Sequence, residues 1–298
     1  MSYTNSQNAP FEVIPFGEFG AEVAGIDLKR PVDDETAHRL RMVLAKFQIL
    51  VFRKQTLSPA EQVRFTRCFG NLEPGIARRP EAHQVPKHPD ILYISNKPGS
   101  PTMDYGSAWH SDGLAYARRP HGVTMLHCIA CPPGMGDTLF ANQYQAYGAM
   151  PEGLRNILKG LYWHLPRASR NLPRKPRHLP RISYSEIPTG RGLAQPMVRT
   201  HSETGRTFLF CSPSARQIRG MTRYASRGIL KLVHEYQVRE AFVYRHAWRE
   251  LDVVVWENCT LLHHRADVVD FATQGLRAMH RSATSGSLEA IECEAAEG

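Results

Sequence analysis

Hydrophobic residues recur at helical spacing near the N-terminus, whereas the rest of the chain contains mostly short apolar runs. The first set lies three or four positions apart, at Leu40, Val43, Leu44 and Phe47. Because Asp33 and Asp34 stand where a helix cap belongs, this spacing predicts an amphipathic helix over residues 34–47. The run QILVFR at residues 48–53 then predicts a short buried strand.

A second helix has recognisable signals at both ends. Ser58 is a typical N-cap, Pro59 suits the first helical position, and Glu61 completes a capping box. Gly70 follows Phe69 and indicates the end of the helix. The residues before position 33 have a strand-rich pattern, so the chain is expected to open with strands.

From residue 90 onward the pattern is dominated by short β-rich runs separated by turn residues. They are ILYISN, GVTMLHCIA, PMVRT, TFLFCS, FVYRHAW and DVVVWEN. One long helical stretch, at about residues 222–239, lies among them. Strands that do not alternate regularly with helices favour a sandwich or barrel over a doubly wound parallel sheet. No repeat or linker divides the chain, so residues 1–298 are treated as a single domain.

Composition restricts the class of protein further. With 42% hydrophobic and 22% charged residues among 298, the chain is ordinary globular protein rather than disordered, collagen-like or coiled-coil. It contains no run of about 20 apolar residues, and MSYTNSQNAPFEV lacks the features of a signal peptide. These features predict a cytoplasmic protein without a membrane partner. Its six cysteines should be reduced, and Cys128 and Cys131 lack the second pair that structural zinc requires.

Part of the net charge of +9 is concentrated in LPRASRNLPRKPRHLPR, residues 165–181. Four prolines exclude a regular helix or central strand there. Long irregular loops are often active-site lids, and residues 165–190 are interpreted as a variable loop or lid. A cationic surface for nucleic acid is the alternative, but the segment lacks interleaved aromatic residues, so nucleic acid is the less favoured partner.

Metal-binding chemistry is indicated by the sequence His110-Ser111-Asp112. In an extended strand, residues i and i+2 point to the same side, so the imidazole and the carboxylate could bind one ion. A third ligand is available downstream in WENCTLLHHRAD, as His263 or His264. Two histidines and one carboxylate form the facial triad typical of non-haem Fe(II), whereas zinc usually has other ligand sets.

Two arginines near the C-terminus could bind anions. Arg277 and Arg281 would share a face of one strand, with their Cα atoms about 13 Å apart at roughly 3.3 Å per residue. Each guanidinium can grip a carboxylate or sulfonate bidentately. Spacing alone leaves a pair of surface arginines as an equal alternative.

Several fragments in register resemble the taurine dioxygenase (TauD/TfdA-like) family over about residues 11–285. GAEVAGIDLKRPVDDE and ILVFRKQTLSPAEQVRFTRCFGNLEP are similar to its N-terminal signature, and WHSD to its iron motif. GMGDTLF, THSETGR, IRGMT, WENCTLLHHRA and RAMHR then follow in the family's order. The resemblance implies a mainly β fold with flanking helices (α+β), built on a double-stranded β-helix, or jelly roll, of the cupin type.

The resemblance also implies an activity: oxidation of a substrate by Fe(II), with 2-oxoglutarate and O₂ as cosubstrates. His110, Asp112 and His263 would be the iron ligands. His263 is preferred because it lies seven positions after Trp256, although anchoring on the HRA tripeptide would select His264.

The remaining roles implied by the resemblance concern the cosubstrate and the substrate. Thr138 and Arg277 would bind 2-oxoglutarate, and Arg281 would hold the anion of a small carboxylate- or sulfonate-bearing metabolite. Hydroxylation, with or without subsequent cleavage, is the expected reaction, and desaturation or ring formation is the nearest alternative. The segment EPGIARR, which follows Leu72, lacks the histidine and tyrosine that taurine-type members use, so taurine is not the expected substrate. A homodimer or tetramer is expected from the family.

Overall fold

The computed structural model describes residues 10–114, 119–164, 193–287 and 291–292. Within these ranges the helices are α1 (Asp34–Phe47), α2 (Pro59–Thr66), α3 (Pro74–Ala77), α4 (Gln143–Gly148), α5 (Glu152–Lys159), α6 (Arg223–Gln237) and α7 (Phe271–Gln274). The strands are β1 (Glu12–Pro15), β2 (Ala21–Ala24), β3 (Ile49–Phe52), β4 (Gln84–Val85), β5 (His88–Ser95), β6 (His121–Ala130), β7 (Thr138–Asn142), β8 (Tyr162–His164), β9 (Leu193–Pro196), β10 (Val198–Thr200), β11 (Thr207–Leu209), β12 (Gln217–Ile218), β13 (Val243–His246), β14 (Val253–Glu257), β15 (Leu261–Arg265), β16 (Ala278–Ser285) and β17 (Ile291–Glu292).

Two sheets form the centre of the molecule. The larger has eight strands in the order β1-β2-β3-β14-β6-β16-β5-β4, and the smaller has three in the order β13-β7-β15. Strand β2 pairs with β3 in parallel, whereas β14, β6 and β16 pair in antiparallel fashion, as do the strands of the smaller sheet. This arrangement agrees with the sandwich or barrel predicted from the sequence and excludes a doubly wound parallel sheet.

The apolar runs ILVF and VVVW are buried on both faces because β3 and β14 lie between two layers. Leu50 and Val255 pack outward against α1 and α2, in a cluster that contains Leu40 and Phe65. The alternate residues point inward, and Trp256 packs in a cluster with Phe140 and Leu261 of the smaller sheet. Successive strand residues point to opposite faces, so helices, large sheet and small sheet form three layers.

The two N-terminal helices begin and end where the sequence predicts. The Asp33 carboxylate accepts from the Thr36 N–H at 2.7 Å, and α1 covers residues 34–47. The Ser58 hydroxyl and the Glu61 carboxylate form the expected capping box of α2. A short 3₁₀ turn extends this helix to Phe69, and Gly70 ends it with φ 140°. The third predicted helix is α6.

One predicted strand differs from the structure. The run PMVRT is divided between β9 and β10 at Met197, which is fully buried. Met197 instead bonds through its N–H to the Leu161 carbonyl and through its carbonyl to the Phe210 N–H. These bonds to two separate segments interrupt the strand ladder.

Other expectations meet the structure only in part. The five cysteines in the described ranges are free thiols, as predicted. In those ranges no helix has the length and apolarity needed to cross a membrane. The predicted loop or lid at residues 165–190 and its basic segment lie outside the described residues.

Candidate metal centre

Backbone hydrogen bonds bring two histidines of distant sequence together. The His110 N–H donates to the His263 carbonyl at 3.0 Å, and the His263 N–H donates back to the His110 carbonyl at 2.8 Å. His263 lies in the middle of β15, whereas His110 lies in the loop between β5 and β6. Their rings face the same space, with centroids 4.2 Å apart.

The Asp112 carboxylate completes a group of three potential metal ligands. His110 Nε2 lies 3.7 Å from Asp112 Oδ1, and His263 Nε2 lies 3.8 Å from Asp112 Oδ2. One donor atom from each residue falls within 4.8 Å of the others. This separation allows one ion to be bound by two nitrogens and one oxygen. No other set of three such residues occurs in the described ranges.

Asp112 reaches this position from a turn, so the predicted extended strand for His110 and Asp112 is wrong. His110 forms one isolated bridge, and the chain turns at Gly113, where φ is 73°. The His121 N–H donates to the Asp112 carbonyl at 3.2 Å and closes this turn at the start of β6. The imidazole and carboxylate therefore converge by a turn rather than by strand alternation.

The structure distinguishes the two candidate downstream histidines. His263 is 7% exposed and faces Asp112, whereas His264 packs its ring against Trp109 with centroids 4.4 Å apart. His264 also bonds through Nδ1 to the Arg265 carbonyl at 2.7 Å. Of the two, only His263 belongs to the three-residue group.

Asn258 holds the Asp112 turn in place, and the sequence analysis missed this residue. Its Oδ1 accepts from the Asp112 N–H at 2.8 Å, while its Nδ2 donates to the Asp112 carbonyl at 2.8 Å and to the His121 carbonyl at 3.0 Å. Its own carbonyl accepts from the Ser111 hydroxyl at 2.7 Å. The WEN motif, which contains this asparagine, was the available signal.

The carboxylate of Asp112 accepts hydrogen bonds from two protein side chains. Its Oδ2 accepts from the Thr124 hydroxyl and from an Arg281 guanidinium nitrogen, both at 2.8 Å. Burial raises the pKa of Asp112, but the charges of Arg281 and of the nearby imidazoles outweigh burial and hold it below its usual range. Asp112 is therefore an anion at neutral pH, as a metal ligand must be.

Both candidate imidazole ligands have a nitrogen available toward the carboxylate. His110 Nδ1 bonds to the Ala108 carbonyl at 2.7 Å, which leaves the lone pair on Nε2. Burial and the neighbouring His110 ring lower the pKa of His263 well below its ordinary value, so this ring is neutral. Two imidazoles and one carboxylate suit a divalent transition metal.

Arg281 lies beside the three-residue group, at the boundary between polar and apolar surroundings. One terminal nitrogen contacts Asp112 and His121 Nδ1, at 2.8 and 2.9 Å, while the buried Nε has no hydrogen-bond partner. Leu92 pairs with Arg281 across the sheet. Leu92 belongs to an apolar cluster with Ile76, Ala283 and Tyr105.

Thr138 is the first residue of β7, and Arg277 directly precedes β16. The Thr138 hydroxyl accepts from Trp248 Nε1 at 2.9 Å, which leaves its own O–H to donate elsewhere. Arg277 is 5% exposed, and its Nε donates to the Gly136 carbonyl at 3.0 Å. Burial and the nearby Arg265 lower the pKa of Arg277 to about 10, so it is still a cation at neutral pH.

The prediction that Arg277 and Arg281 share one face of a single strand is wrong, because only Arg281 lies within a strand. Strand β16 begins at Ala278, one residue after Arg277, and its register shifts between Ala278 and Met279. The Arg277 N–H is bonded to Asn96 Oδ1 rather than to a strand neighbour. Arg277 and Arg281 consequently project toward separate groups, Gly136 and Asp112.

Comparison with known proteins identifies a family and named relatives that the chain resembles. Residues 12–283 match the family described as "Taurine catabolism dioxygenase TauD, TfdA family". The chain is 31% identical over 258 residues to the alpha-ketoglutarate-dependent 2,4-dichlorophenoxyacetate dioxygenase of Cupriavidus pinatubonensis, which covers 82% of this chain and 88% of that protein. It is 26% identical over 264 residues to an alpha-ketoglutarate-dependent sulfate ester dioxygenase of Pseudomonas putida, covering 87% and 84%.

Solved structures give a similar result. A crystal structure of a taurine dioxygenase from Burkholderia xenovorans superposes with a TM-score of 0.75 at 27% identity. The match covers 96% of each chain, so the likeness includes both sheets and the surrounding helices.

Proposed function

The chain belongs to the TauD/TfdA family of taurine catabolism dioxygenases, and on that premise we propose which residues hold its metal, cosubstrate and substrate. It is a non-haem Fe(II)- and 2-oxoglutarate-dependent dioxygenase. We also propose that the two packed sheets form a double-stranded β-helix, or jelly roll. The antiparallel pairing of the inner strands and the similarity to a solved family member support that topology.

We propose that His110 Nε2, the Asp112 carboxylate and His263 Nε2 bind Fe(II). The observation that carries this proposal is the convergence of their donor atoms within 4.8 Å. The ligand set leaves further coordination positions open, as non-haem iron oxygenases require. Bound iron would supply the oxidising chemistry, in which 2-oxoglutarate and O₂ are consumed, succinate and CO₂ are released and a substrate C–H bond is oxidised.

Arg277 and Thr138 are proposed to bind 2-oxoglutarate. The buried, charged guanidinium of Arg277 suits a carboxylate, and Nε is already fixed by the Gly136 carbonyl. Thr138 can donate its hydroxyl hydrogen because Trp248 already supplies a donor to its oxygen. Together these residues would orient the cosubstrate with one charged and one neutral hydrogen bond.

Arg281 is proposed to bind the anionic group of the substrate. Its unpartnered Nε is a buried donor, and such a group is costly unless a ligand pairs with it. The adjacent apolar cluster of Ile76, Leu92, Ala283 and Tyr105 favours a substrate with an apolar body attached to that anion. Small carboxylates, sulfonates and sulfate esters of this type form the proposed substrate class, in keeping with the reactions for which the relatives are named.

The test is an anaerobic titration of the apoprotein with Fe(II) and 2-oxoglutarate, followed by visible absorption. A weak charge-transfer band in the wild type, absent in Asp112→Ala, would support both the metal and the cosubstrate sites. Apolar organic anions would then be screened for stimulation of succinate release. A folded wild-type protein that shows neither the band nor succinate release would overturn the proposal.

A further inference from the structure

A partly buried hydrogen-bonded pair, His201 and Glu257, lies next to the turn that carries Asn258. In the turn between β10 and β11, His201 bonds through Nε2 to Glu257 Oε1, and both side chains are 13% exposed. Glu257 directly precedes Asn258, whose side chain holds the backbone of Asp112. Resting on the function proposed above, we propose that His201 is a positioning residue for the metal site, acting through Glu257 and Asn258.

The backbone of the β10–β11 turn fixes the orientation of the His201 ring. Its Nδ1 accepts from the N–H groups of Glu203 and Thr204, both at 3.2 Å. In the neutral ring Nδ1 is the acceptor, so Nε2 carries hydrogen and donates to Glu257. Both ring nitrogens are therefore engaged, and the imidazole presents a fixed donor to the carboxylate.

The second carboxylate oxygen of Glu257 takes part in a hydrogen-bond network that includes Thr260, at the far end of the same turn. Glu257 Oε2 accepts from the Thr260 hydroxyl at 2.9 Å, and that hydroxyl accepts from Gln48 Nε2 at 2.9 Å. Gln48 Oε1 in turn accepts from Asn142 Nδ2 at 2.7 Å. Satisfied buried networks of this kind rigidify the backbone that they hold. The turn over residues 257–260 is thus held on its outer side while Asn258 bonds inward to the metal-site loop.

Geometry links this network to two of the proposed ligands. The turn over residues 257–260 connects β14 to β15, and β15 carries His263 three residues later. Asn258 contacts the backbone of Asp112 on its other side. A shift of this turn would move His263 and Asp112 relative to each other. Groups that hydrogen-bond directly to metal ligands, as Asn258 does to Asp112, typically change metal affinity by about 10- to 100-fold when they are replaced.

The pair also borders a cavity of about 210 Å³, whose lining includes Arg41, Glu203 and Cys259. Removal of the His201 ring would enlarge this cavity and leave Glu257 Oε1 without its imidazole donor.

The experiment measures Co(II) binding by the full-length apoprotein, through both the dissociation constant and the visible ligand-field spectrum. His201→Ala should weaken Co(II) binding about tenfold and alter the spectrum, because the ligands lose their fixed separation. His201→Gln, which keeps a donor, should retain most of the affinity and most of the wild-type spectrum. Ser202→Ala is the matched control, since this neighbouring side chain in the same turn is exposed.

The outcomes separate this inference from the proposed function. A folded wild-type protein that does not bind Co(II) would overturn the metal site itself. Wild-type binding together with an unchanged affinity and spectrum in folded His201→Ala would show that His201 only anchors the hairpin, and the inference would fail. If His201→Ala does not fold, Glu257→Gln replaces it, and an unchanged Co(II) affinity and spectrum in that variant would overturn the inference equally.

Discussion

Arg277 lies against Gly136 with no space for a side chain between them. Its Nε donates to the Gly136 carbonyl at 3.0 Å, and a Cβ on Gly136 would lie 2.6 Å from both Cδ and Nε of Arg277. The GMGD turn therefore sets the position of the guanidinium proposed to bind 2-oxoglutarate. A glycine is required here by close approach as well as by a φ of 70°.

Gly136→Ala should weaken 2-oxoglutarate binding because the added methyl group displaces Arg277. Gly134→Ala is a closely matched control, since Gly134 has a φ of 71° in the same turn, but a Cβ there would meet no atom within 4 Å beyond its chain neighbours. Both variants place a Cβ at a similar positive φ, so the difference in their cosubstrate dissociation constants isolates the added contacts at Gly136. These contacts are with Arg277 and, at 3.1 Å, with Val269 Cγ2. Equal constants would show that Arg277 does not set cosubstrate affinity through this contact.

Arg277→Lys should raise the 2-oxoglutarate requirement by about 10- to 150-fold. The lysine keeps the charge but loses the planar donor pair, and a hydrogen bond to a charged group contributes about 1.5–3 kcal/mol. Succinate formation as a function of 2-oxoglutarate concentration measures this change. The KM for the prime substrate should stay near its wild-type value. A change in that KM larger than the change for 2-oxoglutarate would place Arg277 in the substrate site instead.

Asp112→Ala should weaken Fe(II) binding by more than about 100-fold. Replacing a group that only hydrogen-bonds to a metal ligand typically costs about 10- to 100-fold in metal affinity, and loss of the ligand itself should cost more. The fold should survive, although Arg281 loses a buried counter-charge. Metal content after dialysis and circular dichroism provide the two measurements. Glu81→Ala, which removes an exposed carboxylate elsewhere, should retain iron. Iron retention in Asp112→Ala would contradict the ligand set.

Arg281→Ala should raise the KM of the prime substrate by about 10- to 150-fold, the range for loss of one charged hydrogen bond. Because Arg281 also stabilises the Asp112 carboxylate, iron binding by this variant should be lost at a higher pH than in the wild type as the solution is acidified. Steady-state kinetics and iron titrations at several pH values check these two expectations. An unchanged KM would remove Arg281 from the substrate site.

Glu257→Gln should cost more stability at pH 6 than at pH 9. The hydrogen bond to Glu257 raises the pKa of His201 above its ordinary 6.5. A raised folded-state pKa stabilises the fold fully below the unfolded pKa, and this contribution disappears as pH rises through the folded value. Urea unfolding of wild type and variant at the two pH values measures the difference. If the loss of unfolding free energy in Glu257→Gln is larger at pH 9 than at pH 6, the raised pKa of His201 is contradicted.

Local signals in the sequence were sufficient to predict the N-terminal helices. Asp33 and Ser58 bond to N–H groups three residues away, so the capping information lies within one turn of the chain. The His-x-Asp motif and the histidine seven positions after Trp256 were also recognisable from the sequence. The spacing did not reveal the turn at Gly113, because Asn258, which holds it, lies in a different part of the chain.

Contacts between distant segments account for what the sequence analysis missed. Asn258 and Asp112 are 146 positions apart, and His201 and Glu257 are 56 apart. Neither pairing has a local pattern, since each exists only after β14, β15 and the β10–β11 turn have come together. The choice between His263 and His264 likewise depends on which face of β15 meets Asp112.

Because a backbone bridge joins His110 and His263, changes in nearby side chains should have little effect on how these two residues are placed. Main-chain groups hold these segments together, so the distance between the imidazoles depends little on the side chains of the neighbouring apolar cluster. Ile76 and Tyr105, in the apolar cluster next to Arg281, contribute nothing to that bridge. Such an architecture would let residues of the proposed substrate site be exchanged while the proposed iron ligands keep their separation.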